Sequence, residues 1–425
     1  MLRRLQWLFK KAICICKKRV TISVNTMEHT LTKQLTLVAN PGSASRKYAL
    51  YAGSHERAQL HFEYAEGRVV CTLTQHSEQH FVHTGLQDLA DSTHEAVTLF
   101  RDNGLLGEDE YIGRIGVCIV APSAYFLQDR VITGEVIGRL RKLLPRAPMH
   151  IGATLEELEK LRTAFKKAVI VGVSDSAFHI TKPDYAWNYG ISLEDADRYE
   201  IKRFGYQGLS VAGAIYSLKQ AEKLPPKVIV CHMGSGTSVT AVQGGNSADT
   251  TMGYSPLEGT VMGTRSGSID PTAVKAMKDV FRLNDKGIEA YLNNHSGLLG
   301  LGGSSDIREL LRREVDGDHR ASLALQTYVY SVQKAIGQMA AVLNGIDLLV
   351  FTGTVGERSA LIRERVLERL HYLDVLVDKH ENKACGAPTE LTCISRSAHS
   401  KPVYVVPTNE AGEIVRNVTA CLRTS

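Results

Sequence analysis

Two β-rich runs in this chain each reverse through a glycine-bearing turn into a second β-rich run, and the two openings lie about one domain length apart. QLTLVAN, starting at Gln34, turns through PGSASRK into YALYA, and KVIVCHM, starting at Lys227, turns through GSG into TSVTAV. Alternating apolar residues with glycine at the reversal are the pattern of a β-hairpin. Helical stretches lie between them. Thr154 to Ala168 is one, with Thr154 and Glu157 at capping-box spacing, so a helix is predicted to begin at Thr154. IDLLVFTGTVGERSALIRERVLERL reads as a buried strand, a glycine turn and one long amphipathic helix. Leu373 to Ser400 reads as an edge or surface excursion before the strand KPVYVVPTNE. A repeated strand-turn-strand opening followed by helices predicts an internally duplicated α/β fold, although no exact sequence repeat is present. At 425 residues the chain suits two domains.

Charge excludes one class of partner. The formal net charge is +5, but Arg3, Arg4, Lys10, Lys11, Lys17, Lys18 and Arg19 supply seven positive charges before Met27. The rest is therefore mildly acidic, so no nucleic-acid partner is expected. The short apolar stretch of this extension is broken by Lys10 and Lys11, too interrupted for a secretory core or a spanning helix. It reads as a basic segment, residues 1–33, outside the fold. Membrane contact by residues 1–26 is the lesser reading, beside a translation start at Met27. Cys14, Cys16, Cys71, Cys118, Cys231, Cys385, Cys393 and Cys421 show no CxxC spacing. That predicts reduced thiols and a cytoplasmic protein rather than a zinc site or disulfide framework.

Chemistry concentrates in loops. Asp249 to Pro271 places Arg265 among Pro256, Gly259, Gly263, Gly267 and Pro271, too punctuated for helix or strand. The alternative is a surface loop with an incidental arginine. Asn40 to Lys47, His232 to Thr237 and Gly353 to Glu357 are glycine turns whose backbone N–H groups could form an anion nest. Singly, each reads as an ordinary turn; the signal is their combination. None fits GxxxxGK[ST], and no GxGxxG joins a first strand to a helix, which argues against P-loop and Rossmann sites. The turn at Gly353 precedes a helix, whose N-terminus suits a phosphate. Asn40, Asp175 and Glu410 follow apolar strands, where a sheet delivers a polar group to a cleft. Taken singly, each reads more simply as a strand-end turn residue.

Together these segments resemble the acetate kinase family of the acetate and sugar kinase, heat-shock chaperone and actin superfamily, from about Leu35 to Val418. NPGSASRKYAL resembles its first phosphate hairpin, CHMGSGTSVTAV the second, FTGTVGERSALIRERV the adenosine turn, SGLLGLGGSSDIREL the nucleotide-pocket segment, and DTTMGYSPLEGTVMGTRSGSIDP a family signature. The resemblance implies an α/β fold of two duplicated actin-like (ribonuclease H-like) domains with an interdomain cleft. Residues 34–176 plus 410–425 would form one domain and 177–409 the nucleotide-binding one. It also implies a homodimer that uses Mg²⁺ and ATP/ADP with a small carboxylate or acyl phosphate.

By the same resemblance Asn40 and Glu410 are metal-linked. Asp175, Arg265, His150 and Gln207 hold the catalytic positions. Cys118, Val120, Met149, Tyr206 and Pro256 hold the substrate positions. The nucleotide positions are Lys47, His232, Met233, Gly234, Ser235, Gly236, Asp306, Ile307, Arg308, Thr354, Val355, Gly356, Glu357 and Arg358. A fixed guanidinium fork suits Arg265 to a transferring phosphoryl group.

The chain departs from the family pattern chiefly on the acyl side. IGVCIVAPSAYF resembles the family's IGHRVVHGGEKF, so Cys118 stands where an arginine clamps the carboxylate, and Ala121 and Pro122 replace His-Gly. KRFGYQGLSV resembles RRYGFHGTSH, so Gln207 stands where a histidine stabilises the transition state, and Val211 replaces another. Ser268, Thr354 and Arg358 are smaller departures. A lost charge-assisted contact is worth roughly 1.5–3 kcal/mol, or about 10- to 100-fold in acetate binding. Complete loss of a transition-state donor costs about 10² to 10³ in rate. A carboxylate kinase is therefore expected, with a catalytically weakened ATP-binding homologue as the alternative.

Overall fold

The computed structural model describes residues 33–42, 45–65, 67–76, 78–396 and 399–424. The basic extension with Cys14 and Cys16, and the tip of the first turn at residues 43 and 44, lie outside them. Strands β1 (Gln34–Pro41), β2 (Ser45–Ala52), β3 (His55–Ala65), β4 (Arg68–Gln75), β5 (Glu78–Val82), β6 (Tyr111–Ile119), β7 (Arg130–Val131) and β8 (Val169–Ser174) form one sheet, ordered β5-β4-β3-β2-β1-β6-β8-β7. Strands β9 (Lys227–Met233), β10 (Thr237–Gln243), β11 (Asn246–Thr250), β12 (Leu348–Thr352), β13 (Thr392–Cys393) and β14 (Val403–Val405) form a second, ordered β11-β10-β9-β12-β14-β13.

The duplication is explicit in the pairing. The hairpin β1–β2 is antiparallel, β1 runs parallel to β6 and β6 to β8, and the short β7 closes the edge antiparallel. The hairpin β9–β10, the parallel strands β12 and β14 and the short antiparallel edge β13 repeat that arrangement. The strands β9 and β12 are buried at nearly every residue, as parallel sheets covered on both faces require.

Helices cover each sheet. Helices Ser92–Asp102, Gly134–Leu143 and Pro148–Ala164 bury one face of the first sheet. The helix Glu410–Thr424 sets Ile414, Val415 and Val418 against Val38, Cys118, Val171 and Val173 on the other. The helix Gly208–Gln220 belongs to both sheets: Leu209 joins that cluster, whereas Val211, Ala214, Ile215 and Leu218 pack on Val228, Val230 and Val350 of the second sheet. Its N-terminus, and that of Glu410–Thr424, therefore sit where the C-terminal ends of the parallel strands of both sheets converge. That is where open α/β sheets place ligands.

Three local readings change. The helix expected from Thr154 begins at Pro148, because proline at the first helical position presets φ and needs no N–H partner. Thr154 instead donates to the His150 carbonyl at 3.0 Å, and Glu157 is the buried countercharge of Arg46, 2.8 Å from Nη1. The long helix after β12 is two, Gly353–Arg358 and Ala360–Leu367, divided at Ser359, whose side chain caps the second. Beyond β2 the first sheet continues as the meander β3–β5, which the hairpin pattern alone did not reveal. The excursion expected at Leu373 to Ser400 supplies the edge strand β13.

Close packing on the C-terminal helix gives a test. A Cβ at Gly116 would stand 2.4 Å from Ile414 Cγ2 and 2.8 Å from Val418 Cγ2. Gly116→Ala should push this helix off the sheet and destabilise the protein by about 1–3 kcal/mol. A lower denaturant midpoint with unchanged slope is expected; an unchanged midpoint contradicts the contact.

Candidate active site

The floor of the site holds two carboxylates, Asp175 at the end of β8 and Glu410, which the sequence reading placed at a strand end but which is the first residue of the helix Glu410–Thr424, beyond the end of β14 at Val405. Asp175 follows β8 directly and is bound across the chain to the helix Gly208–Gln220. Its Oδ2 accepts from the Gln207 N–H at 2.7 Å and its Oδ1 from the Leu209 N–H at 3.4 Å. Those bonds favour the anion, but burial and then the charge of Glu410 outweigh them and push the Asp175 carboxyl up to about 6. Asn40, at the end of β1, donates from Nδ2 to Glu410 Oε2 at 3.3 Å. Lys47 is Asn40's register partner on β2 and is exposed. The predicted metal pair is thus brought together beside Asp175, with a lysine alongside. Cys118 closes the floor from β6. Burial drives its thiol well above the ordinary range, and the charges of Asp175, Glu410 and Asp129 add to that. Such a thiol is an inert packing group. Arg114, four residues back along β6, pairs with Val169 at the start of β8, so it stands about 13 Å along the strand from Cys118 and cannot replace the missing guanidinium.

Arg265 lies in the predicted loop, which runs without helix or strand from Thr251 to Asp270. The loop is ordered by its neighbours: Gly263 N–H donates to the Ser235 carbonyl, and the Ser296 and Leu298 N–H groups to the carbonyls of Thr264 and Met262. Gly297, at φ 60°, is required beneath it, since a Cβ there would come within 2.7 Å of the Arg265 carbonyl. The guanidinium is half-buried, and burial lowers its pKa. Its protein contacts among the described residues are long ones, from Nη1 to the Pro256 carbonyl at 3.4 Å and to Met262 Sδ at 3.9 Å. Burial first, and Arg265 second, push His150 down to about 4, so its imidazole is neutral at neutral pH. Gln207 meets Arg265 at the second phosphate turn: a Cβ on Gly236 would lie 2.9 Å from Gln207 Nε2 and 3.1 Å from Arg265 Nη1. Gln207 holds a left-handed backbone at φ 58°, and its buried Oε1 has no hydrogen-bond partner among the described residues.

Next to His150 is a cavity of about 40 Å³ lined by Val120, Met149, Tyr206 and Pro256, four of the five predicted substrate residues. His150 itself, Pro122, Arg146, Ala147, Ser255, Glu289 and Asn293 complete the lining. Cys118 does not line it. The Tyr206 hydroxyl donates to the Tyr254 carbonyl at 2.7 Å.

The nucleotide segments converge on the turn after β9. Gly234 N–H donates to the Gly236 carbonyl, and His232 Nδ1 bonds Ser210 Oγ at 2.7 Å. Gly353, at φ 82°, passes so close beneath Met233 that a Cβ would come 2.7 Å from its carbonyl oxygen, and Gly356 also abuts Met233. Thr354 and Arg358 are exposed, Val355 packs against the core, and Glu357 Oε1 is spent on the N–H groups of Gly353 and Thr408. Asp306 caps the helix Ile307–Val315 through the Arg308 N–H and pairs with the Arg308 side chain at 2.6 Å, while Ile307 is core. Ser305, beside them, abuts Gly263. Sequence reasoning missed two residues here. Arg363 is fully buried and binds the carbonyls of Gly356, Glu357, Asn382 and Cys385, locking the turn in place. Arg146 belongs to the cavity; its position four residues before His150 was the available signal.

The acetokinase family profile matches residues 35–416. An acetate kinase of Sulfurovum sp. is 33% identical over 388 residues, covering 89% of this chain and 97% of its own. Among solved structures, a propionate kinase from Francisella tularensis superposes with a TM-score of 0.81 at 31% identity, covering 90% of this chain and 98% of its own. The Porphyromonas gingivalis acetate kinase gives 0.79 at 30% identity, covering 92% and 100%. The two-domain actin-like α/β architecture is therefore shared.

The raised Asp175 pKa is measurable. In the ligand-free protein, a carboxyl carbon-13 resonance absent from Asp175→Asn should titrate near pH 6, and Glu410→Gln should move it lower by removing the facing anion. A midpoint near 4 in the unaltered protein would contradict a desolvated Asp175 carboxyl facing Glu410.

Proposed function

The chain belongs to the acetokinase family, and from that premise we propose a carboxylate kinase that transfers the γ-phosphoryl group of ATP to acetate or another short carboxylate, reversibly. The observation that carries this reading is Arg265, a desolvated guanidinium with only long protein contacts, facing the Gly236 turn. A buried, unpaired cation is costly until an anion meets it, and a phosphoryl group in transfer spreads negative charge over three oxygens. In this reading Arg265 and the Gln207 amide hold those oxygens, and neutral His150 donates or accepts a hydrogen bond without adding charge. Asp175 orients the reacting oxygen. The turns at His232 to Gly236 and Thr354 to Arg358, with Asp306 to Arg308 and Lys47, hold the nucleotide.

The donor set fits magnesium. Two facing carboxylates and an amide oxygen, with no cation between them to relieve Asp175, suit an ion that takes few protein oxygens and keeps several waters. Asn40 and Glu410 would hold it, and it would neutralise the charge of the nucleotide phosphates. The packing of residues 410–424 on the first sheet supports assigning 410–425 to the domain of 34–176, with 177–409 as the second. Family resemblance alone supports a cytoplasmic homodimer. No helix among the described residues is long and apolar enough to cross a membrane.

A second reading, an ATP-binding homologue with weakened catalysis, is favoured by Cys118 and by the partnerless Gln207 Oε1. Hydroxylamine trapping with Mg-ATP and a panel of short carboxylates decides between them. We expect acyl hydroxamate, with kcat/KM falling about 10²- to 10³-fold in Arg265→Ala. No hydroxamate from any acid, in protein that binds ATP by calorimetry, would instead establish the weakened reading. In that case Cys118→Arg with Gln207→His should restore turnover.

A further inference from the structure

The cavity wall away from the phosphoryl site carries a cation to which the family resemblance assigns no role. Arg146 ends the turn Leu144–Arg146 and lines the cavity with Ser255, Glu289 and Asn293, beyond the apolar Val120, Met149, Tyr206 and Pro256. Its Nη1 stands 3.5 Å from Glu200 Oε2, longer than the roughly 2.7–2.9 Å of a charge-assisted hydrogen bond. It also bonds the Tyr254 phenol. Glu200 is itself fixed, accepting from the Ser123 hydroxyl and the Ala124 N–H, both at 3.1 Å. A guanidinium has five N–H donors, so these contacts leave Arg146 with donors to offer the cavity. Glu289 lies on the same wall but is exposed, and solvent screens its charge. Arg265, which does not itself line the cavity, reaches the Pro256 carbonyl and acts on His150, both cavity-lining residues. One small, mostly apolar space thus has one arginine in its wall and a second behind it.

We propose that Arg146 reads the far end of the acceptor, and that the preferred acceptor is a short dicarboxylate. One carboxylate meets Arg265 and reacts; the other meets Arg146. This rests on the carboxylate-kinase reading. A cavity of about 40 Å³ has room for roughly three water-sized centres at about 10–15 Å³ each, which restricts the proposal to the shortest dicarboxylates. In the transfer, one carboxylate oxygen bonds to the γ-phosphorus as its bond to the β,γ-bridging oxygen breaks. That electron pair leaves with ADP, no oxidation state changes, and the second carboxylate is untouched. The arrangement also gives an acceptor a cationic contact that does not depend on position 118.

The test compares malonate and succinate with propionate and butyrate by hydroxamate formation, in the unaltered protein, Arg146→Leu and Arg146→Lys, with thermal melts confirming each fold. The unaltered protein should favour a dicarboxylate in kcat/KM. Arg146→Leu should lower the ratio of dicarboxylate to propionate kcat/KM by roughly 10- to 100-fold, mainly through KM, and lysine should restore part of it. A preference for propionate in the unaltered protein, or a ratio unmoved by Arg146→Leu, overturns the proposal while leaving the kinase reading intact. Absence of hydroxamate from every acid overturns both.

Discussion

Asp175 joins two parts of the molecule that are distant in sequence. Its own N–H donates to the Ile119 carbonyl at the end of β6, its carbonyl accepts from Gly208, and its carboxylate accepts from Gln207 and Leu209. Helix Gly208–Gln220 is thereby anchored at the strand ends of the first sheet while its later residues pack on the second. The two sheets, the glycine turn after β9 and the N-terminus of Glu410–Thr424 are all placed relative to this junction. The same group has its carboxyl pKa pushed up to about 6, because the burial that makes the cap strong also penalises its charge.

The charge balance follows from the same geometry. Asp175 and Glu410 face each other, Cys118 offers them no counterion, and Arg265 stands by the Gly236 turn instead of among them. Anionic floor and cationic wall are therefore kept apart in the apo protein, and each carries an unmet electrostatic demand. In the proposed reading, a nucleotide phosphate with its magnesium would answer both, the carboxylate side through the metal and Arg265 through the phosphate charge. By contrast, the buried cations Arg46 and Arg363 have close partners: Glu156 and Glu157 hold the two Nη atoms of Arg46, whose Nε is left unpaired among the described residues, and four carbonyls and an amide hold Arg363. Those two hold structure. Arg265 is distinguished from them by the lack of such partners.

Much of this was legible in the chain because it depends on short-range pattern. Glycine at a strand reversal forecasts a hairpin, and the hairpins at Gln34 and Lys227 gave the duplicated fold and two of the phosphate turns. Asn40 and Asp175 converge because the parallel strands of the first sheet deliver their C-terminal ends to one edge, whereas Glu410 joins them from the first turn of the helix Glu410–Thr424. What escaped depends on contacts across long separations. Thr154 and Glu157 have capping spacing, but Pro148 starts the helix and Arg46, more than a hundred residues away, claims Glu157. Arg363 resembles any arginine on an amphipathic helix until its burial is known. Arg146 sits in a turn between helices, and only the folded structure places it in the wall of the cavity that His150 and Pro256 also line.

The departures at positions 118, 211 and 207 differ in kind. Cys118 and Val211 have been absorbed into apolar clusters, where a thiol and a valine pack without any polar obligation. Gln207 has not: it keeps a left-handed backbone and a buried oxygen with no partner, each costing on the order of 1–3 kcal/mol. Arg265 adds a desolvated charge. A cleft with no ligand to bind has no physical use for such costs, which are relieved only when hydrogen-bond donors and an anion enter it. The substitutions therefore replace polar positions of the family pattern with apolar packing while leaving the electrostatic demand of Arg265 and Gln207 in place, which is the physical ground for proposing a charged ligand.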